Sequence, residues 1–296
     1  MLKNMKNFWE KITCPHPKIG LALGSGGARG IAHIGVLHSL DELGYRIVAL
    51  AGSSMGAIIS AIYAYEPSWK TVEEKLLNYL IQNRDKLDEF EIFKNATDVK
   101  KFRLKSIRSS FYKFRMYSKL LNDTHILKQD LLRDFISSVI PDKNIENAEI
   151  PLAIVTYDLI GAREAVFTSG SVIDAVVASS SIPGIFPPVE HNGMLLVDGG
   201  AISPVPVNAV KSICSKRIFA VDVSPPSPKI PKCENGMDIM MRVIDGNNQK
   251  LKQLELSGAD KIITPEIAGL QWWRFEYFNT IEKRGYNAAI SVLKKN

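Results

Sequence analysis

The sequence predicts an α/β fold with a mainly parallel sheet and a helical insertion. Three observations carry that expectation. Two strand–loop–helix units follow one another at the start, a polar stretch of helical pattern interrupts them, and short apolar strands resume beyond it.

Ile19 to Leu23 is an apolar run that ends in Gly24-Ser25-Gly26-Gly27-Ala28-Arg29-Gly30. Ile31, Ile34, Leu37 and Leu40 then recur at helical spacing until Gly44 stops the helix. Arg46 to Ala51 is the next buried strand, and it runs into Gly52-Ser53-Ser54-Met55-Gly56. Ala57 to Tyr65 reads as a helix of small and apolar residues. From Pro67 to about Asn147 the chain is polar, charged and helical in pattern, an insertion between strands. Strands return at Leu152 to Tyr157 and Ala165 to Thr168, with Gly161 between them. Ser171 to Ser180 is a helix, and Asp174 completes a capping-box-like start. The Pro-rich run Ile182 to Pro188 cannot be helix. Asn192-Gly193 between Val189-Glu190-His191 and Met194 to Val197 is a two-residue hairpin signal, and Asp198-Gly199-Gly200 follows directly. Arg217 to Val223 and Lys261 to Thr264 supply two more strands, and a helix runs from Phe278.

The chain has 296 residues, 46% hydrophobic and 23% charged, enough to bury a sizeable core and unlike an extended disordered chain. Its net charge of +6 suits an anionic partner, either nucleic acid or anionic lipid, and equally a basic solvated surface. Cys14, Cys214 and Cys233 are odd in number, widely spaced and form no C-x-x-C pair. Neither a disulfide framework nor a Cys-based zinc site is indicated, and a reducing, cytoplasmic setting follows. Met1 to Lys18 is basic and amphipathic without the apolar run of a signal peptide, and no segment approaches the ~20 apolar residues that span a bilayer. Any meeting with a membrane is expected from the side.

Gly52-x-Ser54-x-Gly56 at a strand-to-helix junction is the nucleophile-elbow pattern. A serine on so sharp a turn needs small neighbours, and Gly52 and Gly56 provide them. The helix N-terminus behind it favours a developing anion. The Gly24 to Gly30 loop can turn backbone N–H groups inward as an oxyanion site. A dinucleotide loop has a similar glycine pattern, but it needs an acidic residue at the end of the next strand. That strand ends instead in Ala51-Gly52-Ser53-Ser54.

A serine nucleophile also needs a base. The histidines are His16, His33, His38, His125 and His191, and none follows Asp198. His33 and His38 precede the nucleophile on the first helix, His191 flanks the hairpin turn, and His125 lies in the insertion. A triad through His125 or His191 would draw on Asp123 or Asp158, with nothing else in its favour. The sequence therefore points to a serine enzyme without a catalytic histidine. Asp198, where a strand opens into two glycines, is the leading base, and Asp222 is the runner-up.

In combination these blocks resemble the patatin-like phospholipase family, and most of all its bacterial members related to neuropathy target esterase. The likeness rests on Gly26-Gly27-Ala28-Arg29-Gly30, Gly52-Ser53-Ser54-Met55-Gly56 and Asp198-Gly199-Gly200, with Ser181 to Val189 just before the last. It extends from about Lys18 to Ala209 and more weakly to Gly285, which leaves residues 1–17 as an N-terminal extension and 18–296 as the domain. The resemblance implies a three-layer α/β/α sandwich and a Ser54–Asp198 dyad. It implies an oxyanion hole from Gly26, Gly27 and Ala28, with Arg29 orienting the loop or meeting an anionic head group. It further implies hydrolysis of acyl esters of phospholipids or lysophospholipids without metal or cofactor. Acyl transfer by the same dyad, and lipid binding without catalysis, are the alternatives. Ser25 departs from the family, where many relatives carry glycine, so an altered loop geometry is expected.

Lys100 to Leu121 carries eight basic residues and no acid, interleaved with Phe102, Phe111, Tyr112, Phe114, Met116 and Tyr117. This suits docking on anionic lipid, a lid over the acyl site, or a solvated helix whose aromatics pack on the body. No stacking module for nucleic acid is recognisable, so no nucleic-acid partner is expected. The Leu270 to Phe275 aromatic cluster reads as core or subunit contact in preference to a membrane anchor. Oligomeric state is not legible.

Overall fold

A parallel core of five strands organises the molecule. β1 (Lys18–Leu23) lies at its centre, with β2 (Arg46–Gly52) on one side and β7 (Arg217–Val221) on the other. β3 (Leu152–Asp158) extends the sheet beyond β2, and β8 (Lys261–Ile263) extends it beyond β7. Three further strands are antiparallel additions. β4 (Arg163–Phe167) and β6 (Met194–Asp198) both pair with β3, and β5 (Val189–His191) pairs with β6 through the Asn192-Gly193 turn. Both turn residues have positive φ, the geometry that a two-residue hairpin requires. The sheet is therefore mainly parallel, as expected, with antiparallel additions at one edge. The computed structural model describes residues 16–83, 85, 122–224, 232–233 and 235–294. Lys100 to Leu121 and residues 1–15 of the N-terminal extension lie outside the described residues.

The two faces of the sheet differ in side-chain size, and that difference sets the layers. Ile19, Leu21, Leu23 and Leu50 point into a large core, while Ala22, Ala49 and Ala51 alternate with them toward a smaller one. The large core is covered by α1 (Ala32–Glu42), α2 (Met55–Tyr65), α3 (Trp69–Gln82), α4 (Gln129–Val139), α5 (Val172–Ser179) and α8 (Phe278–Leu293). On the alanine face the short α6 (Val207–Ile213) packs close, joined by Leu256 at the end of α7 (Gly236–Leu256). This is the three-layer sandwich.

Local signals account for the helix starts. Ser171 caps α5 by accepting the Asp174 N–H at 3.2 Å. Ser68 caps α3 and Asn235 caps α7 in the same way. The helices α3 and α4, read above as parts of an insertion, are integral to the body. They bury Val72, Leu76 and Tyr79, and Leu132, Ile136 and Val139, in the large core. The sequence reading passed over α6 and α7. Trp272, Trp273 and Phe275 are half-buried against the core, as expected of that cluster.

Candidate active site

Ser54 stands between β2 and α2 with φ 56° and ψ −124°. A non-glycine residue held there stores roughly 1–3 kcal/mol of strain, which the surroundings must over-determine. They do so with buried hydrogen bonds. The Ser53 hydroxyl donates to the Ser203 carbonyl at 2.8 Å, and the Ser54 N–H donates to Ser179 Oγ at 3.0 Å. Ser179 in turn donates to the Val155 carbonyl on β3 at 2.6 Å. The flanking glycines are obligatory for space. A Cβ on Gly52 would lie 2.4 Å from the Gly56 carbonyl oxygen, and one on Gly56 would lie 2.1 Å from that of Leu23. The side chain of Ser54 is thus presented at the N-terminus of α2, in a residue only 5% exposed.

Asp198 reaches this serine through strand register. On one edge of β3, Gly52 of β2 pairs with Ile154, and Asp198 of β6 pairs with Thr156. Where β2 leaves the sheet to form the elbow, β6 arrives antiparallel and takes the vacated edge. The end of β6 therefore meets the elbow, and the Asp198 carboxyl lies near enough to the Ser54 side chain for that hydroxyl to favour its ionised form. Asp198 Oδ1 also accepts the Gly200 N–H at 2.7 Å. Burial pushes the Asp198 carboxyl up to about 6, against the opposing pull of the bonds from Ser54 and Gly200. Gly199 fits its backbone against the Val155 carbonyl, and Gly200 fits against the Ser25 side chain.

The glycine loop is pinned peptide by peptide. The Gly24 N–H continues the ladder to Val221 at 3.1 Å, and the Ser25 N–H bonds to the Pro204 carbonyl at 2.9 Å. Ser25 thus uses its N–H to anchor the loop. The Gly26 carbonyl accepts from both the backbone N–H and the Nε of Arg29, at 3.3 and 3.2 Å. Arg29 is half-buried and directed at the loop, and burial lowers its pKa against the pull of Asp222. The Gly26 and Gly27 N–H groups have no partner among the described residues. The Ala28 N–H is already engaged, donating to the Trp272 carbonyl at 2.6 Å. Trp272 lies hard against Gly27, whose φ of +56° and lack of space both require glycine. Gly30 fits beneath Met55.

Ser54 and Gly27 are among the residues lining an apolar cavity of about 710 Å³, a volume that includes space open to solvent. Its walls are Met55 and Ile58 from α2, Tyr79 and Leu80 from α3, Leu131, Leu132 and Phe135 from α4, with Ile182, Phe186, Trp272 and Phe275. The lining has the apolar character of sites that hold an apolar ligand.

The other candidates lie elsewhere. His38 stacks on Trp69 and His16 bonds to Gly44; His125 is next to Thr124, and His191 sits at the hairpin beside Asn192. His33 donates to the Gly24 carbonyl behind the loop. Asp123 is exposed. At Asp158, burial is outweighed by N–H donors from Gly161, Leu195 and Ile160 and by Arg163, so its carboxyl stays below the ordinary range. Asp222 is paired with the buried Lys252 at 3.0 Å. Sequence reasoning missed Ser179, the Trp272 contact, the Lys252–Asp222 pair, and Glu255, which binds Ser203 and the Val205 N–H. Burial pushes Glu255 up to about 7.

Fold and site together define an α/β protein with a buried serine elbow facing a carboxylate at the head of an apolar cavity. The family described as "Patatin-like phospholipase" matches residues 21–211, and the chain belongs to that family. It is 33% identical over 208 residues to an uncharacterized NTE family protein of Mycobacterium tuberculosis, covering 70% of this chain and 49% of that one. It is 30% identical over 255 residues to human patatin-like phospholipase domain-containing protein 6, covering 86% of this chain and 16% of the relative. The chain thus spans about half the length of the mycobacterial relative. VipD from Legionella pneumophila aligns over 95% of this chain and 67% of its own, at 16% identity and a TM-score of 0.46. Membership of the family supports a lipid-hydrolase function. No helix among the described residues is long and apolar enough to cross a membrane.

Proposed function

We propose that this protein is a serine acyl hydrolase that cleaves acyl esters of phospholipids or lysophospholipids through Ser54 and Asp198, in the cytoplasm at a membrane surface. The observation that carries the reading is the strained Ser54, which lines an apolar cavity and has the buried Asp198 beside it. A binding protein has no use for that strain.

In this reading the acyl chain lies between α2, α3 and α4, and the ester carbonyl comes to rest over Ser54. Asp198 takes the hydroxyl proton as Ser54 Oγ bonds to the carbonyl carbon. The Gly26 and Gly27 N–H groups hold the oxyanion, and Ala28 joins them when the Trp272 carbonyl withdraws. Collapse of the intermediate breaks the ester C–O bond, and the departing alcohol receives the proton from Asp198. Water then attacks the acyl-enzyme carbonyl and gives its proton to Asp198; the bond from the acyl carbon to Ser54 Oγ breaks, Asp198 returns the proton to Ser54, and the fatty acid leaves.

The test is labelling with a fluorophosphonate probe, with the adduct located by mass spectrometry and Ser54→Ala as control. An adduct on Ser54, absent in the variant, followed by release of fatty acid from lysophospholipid, is the expected result. A folded protein that stays unlabelled even in the presence of anionic vesicles would end the enzyme reading.

A further inference from the structure

We propose that His33 is a positioning residue for the oxyanion loop: its Nε2–H grips the Gly24 carbonyl and so sets the direction in which the Gly26 N–H donates. This rests on the Ser54–Asp198 reading above and adds a residue to it.

His33 is the second residue of α1, fully buried among core positions otherwise taken by Ala32, Ile34 and Val36. Its ring reaches back nine residues to the Gly24 oxygen at 2.8 Å. A carbonyl can only accept, so Nε2 must carry the ring's proton, and the neutral tautomer is defined by that bond. The other nitrogen, Nδ1, is buried with no partner among the described residues. A polar ring that leaves one nitrogen unpaired in a core is unfavourable there. Its one bond is what this residue supplies and an aliphatic residue would not. Burial also holds the ring neutral, with its pKa lowered to about 4.

The bond matters because of peptide planarity. The Gly24 carbonyl and the Ser25 N–H belong to one rigid plane. His33 holds that plane from the oxygen side, and the Pro204 carbonyl holds it from the nitrogen side. The Gly26 carbonyl and the Gly27 N–H form the next plane but one, held by Arg29. Between the two lies the Ser25–Gly26 peptide, whose N–H is unpartnered among the described residues. Its orientation is bracketed by the clamps on either side. Releasing the His33 clamp lets the first plane rotate, and glycine at positions 24 and 26 offers no side-chain resistance. His33 does not act on Ser54 itself: its protonated nitrogen is committed to the loop carbonyl.

The experiment compares His33→Gln, His33→Asn and His33→Leu with the parent. Glutamine can place an amide N–H near the position of Nε2, asparagine falls short of it, and leucine has no donor. The readouts are kcat and KM on a p-nitrophenyl acyl ester, the fluorophosphonate labelling rate, and thermal unfolding. The leucine and asparagine variants are expected to lose about 10- to 100-fold in kcat and in labelling rate, with KM within about two-fold, as for a misplaced oxyanion donor. Glutamine should restore most of the rate. A folded His33→Leu at parental kcat would overturn the proposal, as would a glutamine variant no faster than asparagine. That amide comparison decides the matter if the leucine variant does not fold. A parent left unlabelled, or labelled elsewhere than Ser54, would instead sink the dyad reading and this proposal with it.

Discussion

Replacing Asp198 with asparagine should make the protein more stable and nearly inactive at the same time. The carboxyl is buried, and its pKa is raised from 3.8 to about 6. A shift of about two units corresponds to roughly 3 kcal/mol at about 1.4 kcal/mol per unit, the burden of keeping the carboxylate ionised in the folded protein. Because the folded value lies above the unfolded one, the burden is absent at low pH, where both states hold the proton, and complete once pH exceeds the folded value. Asparagine has the same shape, can still accept the Gly200 N–H, and carries no charge. Its melting temperature should therefore exceed the parent's by roughly 5 °C near pH 8, with the gap closing near pH 3.5. Over the same substitution kcat should fall by about 10²–10⁴-fold, the usual contribution of a positioned base. Scanning calorimetry at both pH values and steady-state hydrolysis form the assay. An asparagine variant with near-parental kcat would refute Asp198 as the base, and a stability gap that ignores pH would refute the electrostatic account.

Other perturbations test separate parts of the site. In the parent, kcat/KM should fall tenfold per unit as pH drops below about 6, because only the ionised Asp198 accepts the Ser54 proton; a flat profile down to about pH 5 argues for a different base. Gly56→Ala places a methyl group 2.1 Å from the Leu23 carbonyl oxygen. The elbow cannot keep its geometry, so loss of fluorophosphonate labelling is expected, and parental labelling would contradict the contact. Lys252→Met strands the buried Asp222 carboxylate and should cost about 3–5 kcal/mol in urea unfolding, with Asp222→Asn in the same chain recovering much of it. A loss below about 1 kcal/mol would mean that water reaches the pair.

The features that were legible in the sequence are those whose causes are local. The elbow could be read because Gly52 and Gly56 sit within two residues of Ser54, where their missing side chains are needed. The hairpin could be read because Asn192-Gly193 supplies both positive φ angles, and α5 because Ser171 caps Asp174 within one turn. Asp198 emerged by elimination of histidines and from its two glycines. What stayed hidden depends on contacts between distant segments. Nothing near Trp272 announces that its carbonyl will take the Ala28 N–H, and nothing near Lys252 announces Asp222. Ser179 is one small residue in an apolar helix. The helix α7 had a readable cap in Asn235 and Asp238, but its exposed Ile239, Met240, Met241, Val243 and Ile244 blur the amphipathic pattern. The polar, charged composition of the insertion hides its inward-facing residues. Only the packing shows that Tyr79, Leu80, Leu132 and Phe135 turn inward to wall the cavity.

In the proposed mechanism, the sheet register accounts for a site of two residues where other serine hydrolases use three. Gly52 and Asp198 sit beside Ile154 and Thr156, on one edge of the same strand and two residues apart. Two residues of strand advance the chain by only about 6.6 Å, so the ends of β2 and β6 approach one another almost head-on. With Ser54 just past one end and Asp198 at the other, the register brings the two residues side by side. In the proposed mechanism the carboxylate is the base itself. It is a weak one in water, and the fold compensates by removing the water: burial raises Asp198 toward the range in which it can both take and return a proton. Gly199, pressed against the Val155 carbonyl, lets β6 end this close to β3. In the proposed mechanism the register thus sets the approach of Asp198 to Ser54, that approach makes an intermediary histidine unnecessary, and burial supplies the basicity that the carboxylate lacks in solution.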